Sequence, residues 1–402
     1  MSNWAQKTLS QMVDHVDERC GNQSLSLVLS VTERRGIIPQ DEVFRKRIAT
    51  ADVSKYKVLQ PLDIAYNPYL LWTGAIGQWL GSEPGVTSPV YETFRARGGY
   101  DPRFIGLLLS SGTLTPYFNA TAIGSISRRR RTTVPVFLDA QVEVPSLDEQ
   151  RRIVAVISAL DGQVKAMEDE LQAAQNLLRR TVSKIMADLP ATMKFGSVAV
   201  TRSGPSWSAA DESKTPTSGS LRVVKITNTK DGGVFDMSDE TYVTGLPDST
   251  AKLDEASLII IRTNGNRNRI GNVYRPDASA VGCAVSAFQF ISQPINPADR
   301  DFLYWTLADP SMQQRMSEAA SGTTGLGNLA VRWLNSVEIP WSDDPTERSA
   351  ISSTADAAER TVIRLGDELE DLRRVRLGLL DALLSQQITV DVAVDQFIEP
   401  AA

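Results

Sequence analysis

Histidine occurs once in these 402 residues, at His15, and cysteine twice, at Cys20 and Cys283. One imidazole excludes metal sites and catalytic triads that need two, so His15 is expected to serve at the surface or in the core. The cysteines lie far apart without a CxxC companion, which argues against a disulfide framework and against a zinc knuckle. No run of eighteen apolar residues is present, and the opening MSNWAQKTLSQMVDHVDERCG has no signal-peptide stretch. A soluble, cytoplasmic protein without a membrane partner is expected. Dinucleotide, Walker, nuclease and methyltransferase motifs are missing as well. Carboxylate pairs such as Asp169-Glu170 and Asp343-Asp344 fall on helices or at helix starts, where solvation and the helix dipole account for them. No catalytic residue and no metal ligand is assigned.

The formal net charge of −6 is unevenly spread. Residues 1–147 carry 16 basic against 13 acidic side chains, residues 148–189 carry 6 against 7, and residues 190–340 carry 14 against 15. The last 62 residues, 341–402, carry 6 against 13. Acidity therefore belongs to the C-terminal segment, and neither globular segment is basic enough for composition alone to decide on a nucleic-acid partner.

What the chain does contain is a repetition. A short strand ending in Pro leads into a heptad-patterned helix at Val142-Glu143-Val144-Pro145 followed by 148–189, and again at Val337-Glu338-Ile339-Pro340 followed by 346–384. Ile153, Ile157, Leu160, Val164, Met167, Leu171, Ala174 and Leu178 alternate spacings of four and three. Ile351, Ala355, Ala358, Val362, Leu365, Leu369 and Leu372 keep the same rhythm. A mean period of 3.5 marks a coiled-coil seam, narrower than the apolar face of a globular helix. After Leu178 the first seam shifts phase to Val182, Ile185 and Leu189, and Arg376 interrupts the second.

The helices divide the chain into a first globular domain (1–147), a first helix (148–189), a second globular domain (190–340), a second helix (341–390) and a tail (391–402). Both globular segments mix short strands with short helices, so the expected class is α+β: two tandem α/β domains separated and followed by long helices that pair as an antiparallel coiled coil. Strand-like runs stand at 25–31, 64–66, 86–94, 221–227, 257–263 and 287–291, and helices at 102–111 and 302–307. The Ser/Thr/Pro/Gly-rich stretch 203–220 reads as a long surface loop. Landmarks recur in order: a strand ending at Asn67 or Asn264, a Gly-containing turn, Asp101-Pro102 or Asp299-Arg300-Asp301 before a helix, then Gly124-Ser125 or Ser321-Gly322. A duplication of a unit of roughly 190 residues follows. Two heads on a paired helix suit a long repetitive target, and duplex DNA, with about 34 Å per turn, is the obvious one.

Four clusters have the chemistry for DNA. Arg128, Arg129, Arg130 and Arg131 form the densest positive run, suited to neutralising phosphates without selecting sequence. The stretch Arg262-Thr263-Asn264-Gly265-Asn266-Arg267-Asn268-Arg269 reads as an Asn-Gly hairpin tip. Its guanidinium and amide groups have the bidentate geometry that matches guanine and adenine edges. Tyr66, Asn67 and Tyr69 are its first-segment counterpart. Ser321, Thr323 and Thr324, in a Ser/Gly/Thr turn, offer hydroxyls and backbone N–H groups to a phosphate. A coiled-coil scaffold that organises other proteins without touching DNA is the alternative.

The stretch Val144-Pro145-Ser146-Leu147-Asp148-Glu149-Gln150-Arg151-Arg152-Ile153 ahead of the first helix is the most specific signal in the chain. Together with the run 221–228, Arg262-Thr263-Asn264-Gly265 before Ile270-Gly271, and Ser321-Gly322-Thr323 leading to Ile339-Pro340, it resembles the specificity (S) subunits of Type I restriction-modification systems. The likeness spans about residues 15–390. It implies two target-recognition domains reading the halves of a bipartite, asymmetric DNA site, and a docking core for two methyltransferase (M) subunits. It further implies an optional pair of restriction (R) subunits. On this resemblance the chain itself is non-catalytic and binds no cofactor; S-adenosylmethionine belongs to the methyltransferase partner, and ATP and Mg to a nuclease/translocase partner. Two departures stand out: the second helix opens Thr346-Glu347-Arg348-Ser349-Ala350-Ile351, without the Gln and second Arg of the first, and it carries three extra residues in Trp341 to Pro345.

Overall fold

The computed structural model describes residues 4–23, 25–33, 35–42, 52–124, 130–230, 233–322 and 325–390. Two compact units result, one of residues 1–168 with 368–402 and one of residues 169–367. Both long helices, Leu147–Asp188 and Pro345–Leu384, cross that division, so each unit is a head built onto half of each helix.

In the first unit, Ala5–Thr8 pairs antiparallel with Gln141–Val144, the strand that feeds the first long helix. A four-stranded sheet follows the order Val13–Val16, Glu92–Ala96, Ile64–Tyr66, Ile76–Gln78. A second sheet runs Gly36–Pro39, Val28–Thr32, Gly85–Thr87, Lys57–Leu59, with its middle pair parallel. Helix Pro102–Ser110 starts where its sequence says it should. The Asp101 carboxylate accepts from the Arg103 and Phe104 N–H groups at 2.9 and 3.1 Å, and Pro102 occupies the first turn, where its missing donor costs nothing. The core joins Tyr66, Phe94, Phe104, Phe118 and Phe137 to Ile153, Ile157, Leu380 and Leu383 of the long helices.

The second unit repeats this plan. Ala191–Lys194 pairs with Glu338–Trp341, and the main sheet runs Ala199–Ser203, Gln289–Pro294, Leu258–Ile261, Val273–Tyr274. The other sheet runs Glu212–Ser213, Tyr242–Val243, Leu221–Val224, Ala284–Val285, again with one parallel pair. Helices Arg300–Ala308, Pro310–Ala319 and Val331–Ser336 answer Pro102–Ser110, Thr115–Thr121 and Val134–Leu138. Even backbone exceptions recur: Gly124 has φ +135° and Gly322 φ +133°, a region that side chains exclude. A Cβ on Gly322 would lie 2.3 Å from the Leu326 carbonyl oxygen.

The seam packs as its spacing requires. In the first unit Arg376 donates to Asp161 at 2.7 and 3.3 Å, and Arg373 to Glu168 at 2.6 Å, so numbers rise along one helix as they fall along the other. In the second unit Val182, Met186 and Leu178 of one helix pack with Ala355 and Ile351 of the other. The pairing is antiparallel. Ile153, Ile157, Leu365 and Leu369 are buried, while Leu160, Val164, Met167, Leu171, Leu178, Ile351, Val362 and Leu372 are half-buried. Arg376, a flaw by hydrophobic count, keeps its seam position through the Asp161 pair, the kind of polar contact that fixes register at some cost in stability.

Three local expectations need correction. After Leu178 the buried positions are Val182 and Met186, with Ile185 only half-buried, because this turn faces the head core around Phe195. Stretch 203–220 is not loop throughout: the Ser208 hydroxyl accepts from the Ala210 N–H at 3.3 Å, and Glu212–Ser213 joins a sheet. The Asn264-Gly265 turn closes no two-residue hairpin either. Thr263–Asn264 pairs instead with Gly327–Asn328, since the Asn264 and Asn266 side chains accept from backbone N–H groups two residues on and coil the chain into a 3-10 turn at Arg267–Arg269.

Candidate nucleic-acid interface

The two ribbons that the sequence singled out in the second segment are brought together. Thr263–Asn264 and Gly327–Asn328 form a short antiparallel ladder, and Ser321 continues it by exchanging backbone bonds with Asn328 at 3.1 and 2.8 Å. The Asn328 side chain ties the strands: its Oδ1 accepts from Arg262 Nε at 3.0 Å and from the Thr263 hydroxyl at 2.8 Å. Arg267 reaches across to the Gly322 carbonyl at 2.6 Å. Asn266, Arg267 and Asn268 are exposed, as is Ser321, whereas Arg262 and Asn264 are half-buried. Arg269 turns inward to the Thr229 carbonyl and the Tyr274 hydroxyl, and so braces the turn rather than facing solvent. Thr323 and Thr324 lie outside the described residues.

The first unit builds the corresponding edge from different residues. Ile123 and Arg131 exchange backbone bonds, both at 2.9 Å, and the Thr132 N–H donates to the Pro68 carbonyl at 2.9 Å, which draws this bridged pair to the Asn67 turn. Asn67 Oδ1 accepts from the Tyr69 N–H at 3.1 Å, leaving Tyr69 exposed at the tip. Arg130 stacks over Trp72, 4.8 Å from the ring centre, and donates to Asn119. Arg131 is exposed, while Arg128 and Arg129 lie outside the described residues.

Tyr66 does not belong to this surface. It is fully buried, its ring stacked on Phe94 at 5.7 Å and tilted against Phe137 at 4.9 Å, and burial pushes its phenol far above the usual range. As the last residue of its strand, Tyr66 alternates inward where Asn67 begins the turn.

A cleft of about 610 Å³ opens beside the Asn264 turn. Trp207, Glu212, Lys225, Phe288 and Leu326 line it. Lys225 pairs with Glu212 at 2.7 Å, and the Trp207 indole N–H donates to the same carboxylate at 2.8 Å; together they hold Glu212 below the ordinary carboxylate range. Sequence reading missed Asn328, Trp207, Phe288, Trp72 and Asn119, because long-range pairing places them. Only Leu326, an apolar residue set between Gly325 and Gly327, carried a local signal.

His15 contacts Glu92 at 3.1 Å and the Phe94 ring, and both cysteines are buried free thiols. Among the described residues no group of His, Cys, Asp and Glu is arranged to hold a metal ion, and no helix is long and apolar enough to cross a membrane.

No protein-family model and no curated protein matches the chain. Solved structures do. A chain from a type I restriction-modification system, solved to describe complex assembly and conformational transition, superposes with a TM-score of 0.59 at 17% identity, over 95% of this chain and 97% of that one. The S subunit of the type I system of M. genitalium superposes at 0.50 with 12% identity, over 94% and 95%. The chain has the fold of Type I S subunits. That S-subunit fold accounts for nearly its whole length, both heads and both long helices included.

Proposed function

We propose that this chain is the non-catalytic specificity subunit of a Type I restriction-modification complex. Its two heads read the two halves of a bipartite, asymmetric double-stranded DNA site, and its helices dock two methyltransferase subunits, with restriction subunits as optional further partners. Methyl transfer from S-adenosylmethionine then takes place in the partner, on a base turned out of the duplex.

The observation that carries this reading is the recurrence, on a duplicated scaffold, of one edge with different residues. Each head sets an Asn-headed turn against a ribbon containing a positive-φ Gly, and each edge carries guanidinium groups. The second adds exposed Asn side chains, the first an exposed Tyr. A scaffold protein would have no use for a matched pair of such edges, whereas a reader of an asymmetric site needs equal geometry and unequal chemistry.

Co-expression with a Type I methyltransferase subunit, followed by mapping of modified adenines, tests it. One bipartite motif, lost when the chain is omitted, is the expected result. Stable complexes without sequence-specific methylation or DNA binding would assign the chain to the scaffold class instead.

A further inference from the structure

The apolar side chains around the second-unit cleft are oddly placed for a folded surface. Phe288 is 48% and Leu326 56% exposed, although Phe288 belongs to well-paired backbone, its carbonyl accepting from the Arg262 and Thr263 N–H groups at 2.8 and 3.1 Å, and Leu326 directly precedes the Gly327–Asn328 strand. They line the same cleft as Asn264. The corresponding edge of the first unit also exposes apolar groups, Tyr69 at 41% and Ile123 at 65%. Exposed apolar area that recurs at one edge of both repeats, in different residues, marks a contact surface rather than a packing accident.

We propose that the cleft beside Asn264 reads duplex DNA through the C5 methyl group of a thymine, packed against Phe288 and Leu326. The inference rests on the proposed DNA-reading role of this head and names what the cleft contributes to it. Thymine alone places an apolar group in the major groove, and side chains such as Phe supply its apolar contact. The lining of the cleft suits that task. Lys225 and Glu212 neutralise each other at 2.7 Å, so neither an anion nor a cation gains from entering, and Trp207, Phe288 and Leu326 add aromatic and aliphatic lining. Phosphate contact falls instead to the exposed Arg267 on the outer turn.

The experiment uses the full chain assembled with its methyltransferase partner, on duplexes carrying the mapped motif with each thymine in turn replaced by deoxyuridine, which removes only the methyl group. At one position in the half-site of the second head, wild-type affinity falls about fourfold, the equivalent of one buried methyl. Phe288→Ala and Leu326→Ala, both surface changes, bind the thymine and uridine duplexes alike, while Phe288→Leu keeps part of the difference. A half-site without thymine, a wild type indifferent to every uridine, or a uridine effect that survives in both Ala variants overturns the inference and leaves DNA reading intact. If Phe288→Ala fails to assemble with the partner subunit while keeping its thermal transition, the patch is a protein-docking surface and the inference is again overturned. Failure of the wild type to bind any sequence specifically removes the functional reading, and this inference with it.

Discussion

Arg348 donates from Nε to the Asp299 carboxylate at 2.8 Å, with both side chains less than a tenth exposed. Its Nη1 caps the Ser342 carbonyl at 2.7 Å, and its guanidinium lies 4.5 Å from the Trp341 ring centre. The first unit solves the same problem without charge. Gln150 is equally buried; its Oε1 accepts from the Asp101 N–H at 2.9 Å and its Nε2 donates to the Pro145 carbonyl at 3.0 Å. Both pairs are 49 residues apart, and both tie the start of a long helix to the start of a head helix. The second helix start, divergent by its letters, is therefore equivalent by its role.

Charge makes the two anchors unequal in cost. Arg348→Ala leaves the Asp299 carboxylate buried without its partner and should destabilise the second unit by about 3–5 kcal/mol. Gln150→Ala leaves one backbone donor and one acceptor unmet, a loss of about 1–3 kcal/mol in the first unit. Arg348→Gln, which copies the first repeat, should fall between wild type and Arg348→Ala. Urea midpoints followed by tryptophan fluorescence give the ranking, and equal losses from the two Ala variants would refute it.

How much of this was legible in the sequence depends on the range of the interaction. The seam was legible because a 3.5 period over some 25 residues is a local property, and Ile153 to Leu178 needs no knowledge of what lies opposite. Helix Pro102–Ser110 was legible for the same reason, its Asp-Pro start being self-contained. Tyr66 was placed correctly at a strand end but misread as a DNA contact, because its burial is decided by Phe137, on a helix 71 positions away, as much as by its neighbours. The Asn264 turn was located correctly and shaped wrongly: Asn-Gly marks a turn, yet the side chains of Asn264 and Asn266 compete for the backbone donors a hairpin would use. Trp207 and Phe288 carried no local mark at all, since their cleft exists only once five separate segments meet.

Tyr66 yields a prediction of silence. Its hydroxyl is buried and bonded to no group among the described residues, and a buried unpaired hydroxyl costs about 1–3 kcal/mol. Tyr66→Phe keeps the stack on Phe94 and should leave the melting temperature equal or raised, with the methylated motif unchanged. Tyr69→Ala, at the exposed tip of the same turn, should leave stability unchanged and weaken DNA binding. A motif altered by Tyr66→Phe would return that residue to the reading surface.

Glu359 yields a pH dependence. Arg275 lies 4.1 Å from the Tyr304 ring centre, pairs with Asp356 at 2.6 Å and Asp301 at 3.3 Å, and contacts Glu359 as well. Burial pushes the Glu359 carboxyl above its ordinary value of 4.5, and Asp356 adds to the rise; Arg275 opposes it without cancelling it. A carboxyl whose folded value is raised contributes stability that is fully present below the unfolded value and lost as pH climbs through the folded one. Glu359→Gln abolishes this loss. The melting temperature of the variant minus that of wild type should therefore increase as pH rises from about 4 through the raised value, and a difference that stays flat, or falls, would count against it.

The proposed division of labour between phosphate contact and base reading can be separated by salt. Neutralising about six phosphates gives a slope of log affinity against log salt near −5, about 0.9 for each. Arg130 and Arg131 flank the first-unit edge, the former stacked on Trp72 and the latter exposed. If both face phosphates, Arg130→Gln with Arg131→Gln should make the slope shallower by about 2 while the methylated motif stays the same. Asn266→Ala with Asn268→Ala, on the second-unit turn, should do the reverse: the slope holds, and selectivity relaxes at one or two positions of one half-site only. These amides carry no net charge and release no counterions, so any energy they supply must depend on the base they meet. A change in both half-sites from either double substitution, measured on the same assembled complex, would contradict separate reading by the two heads.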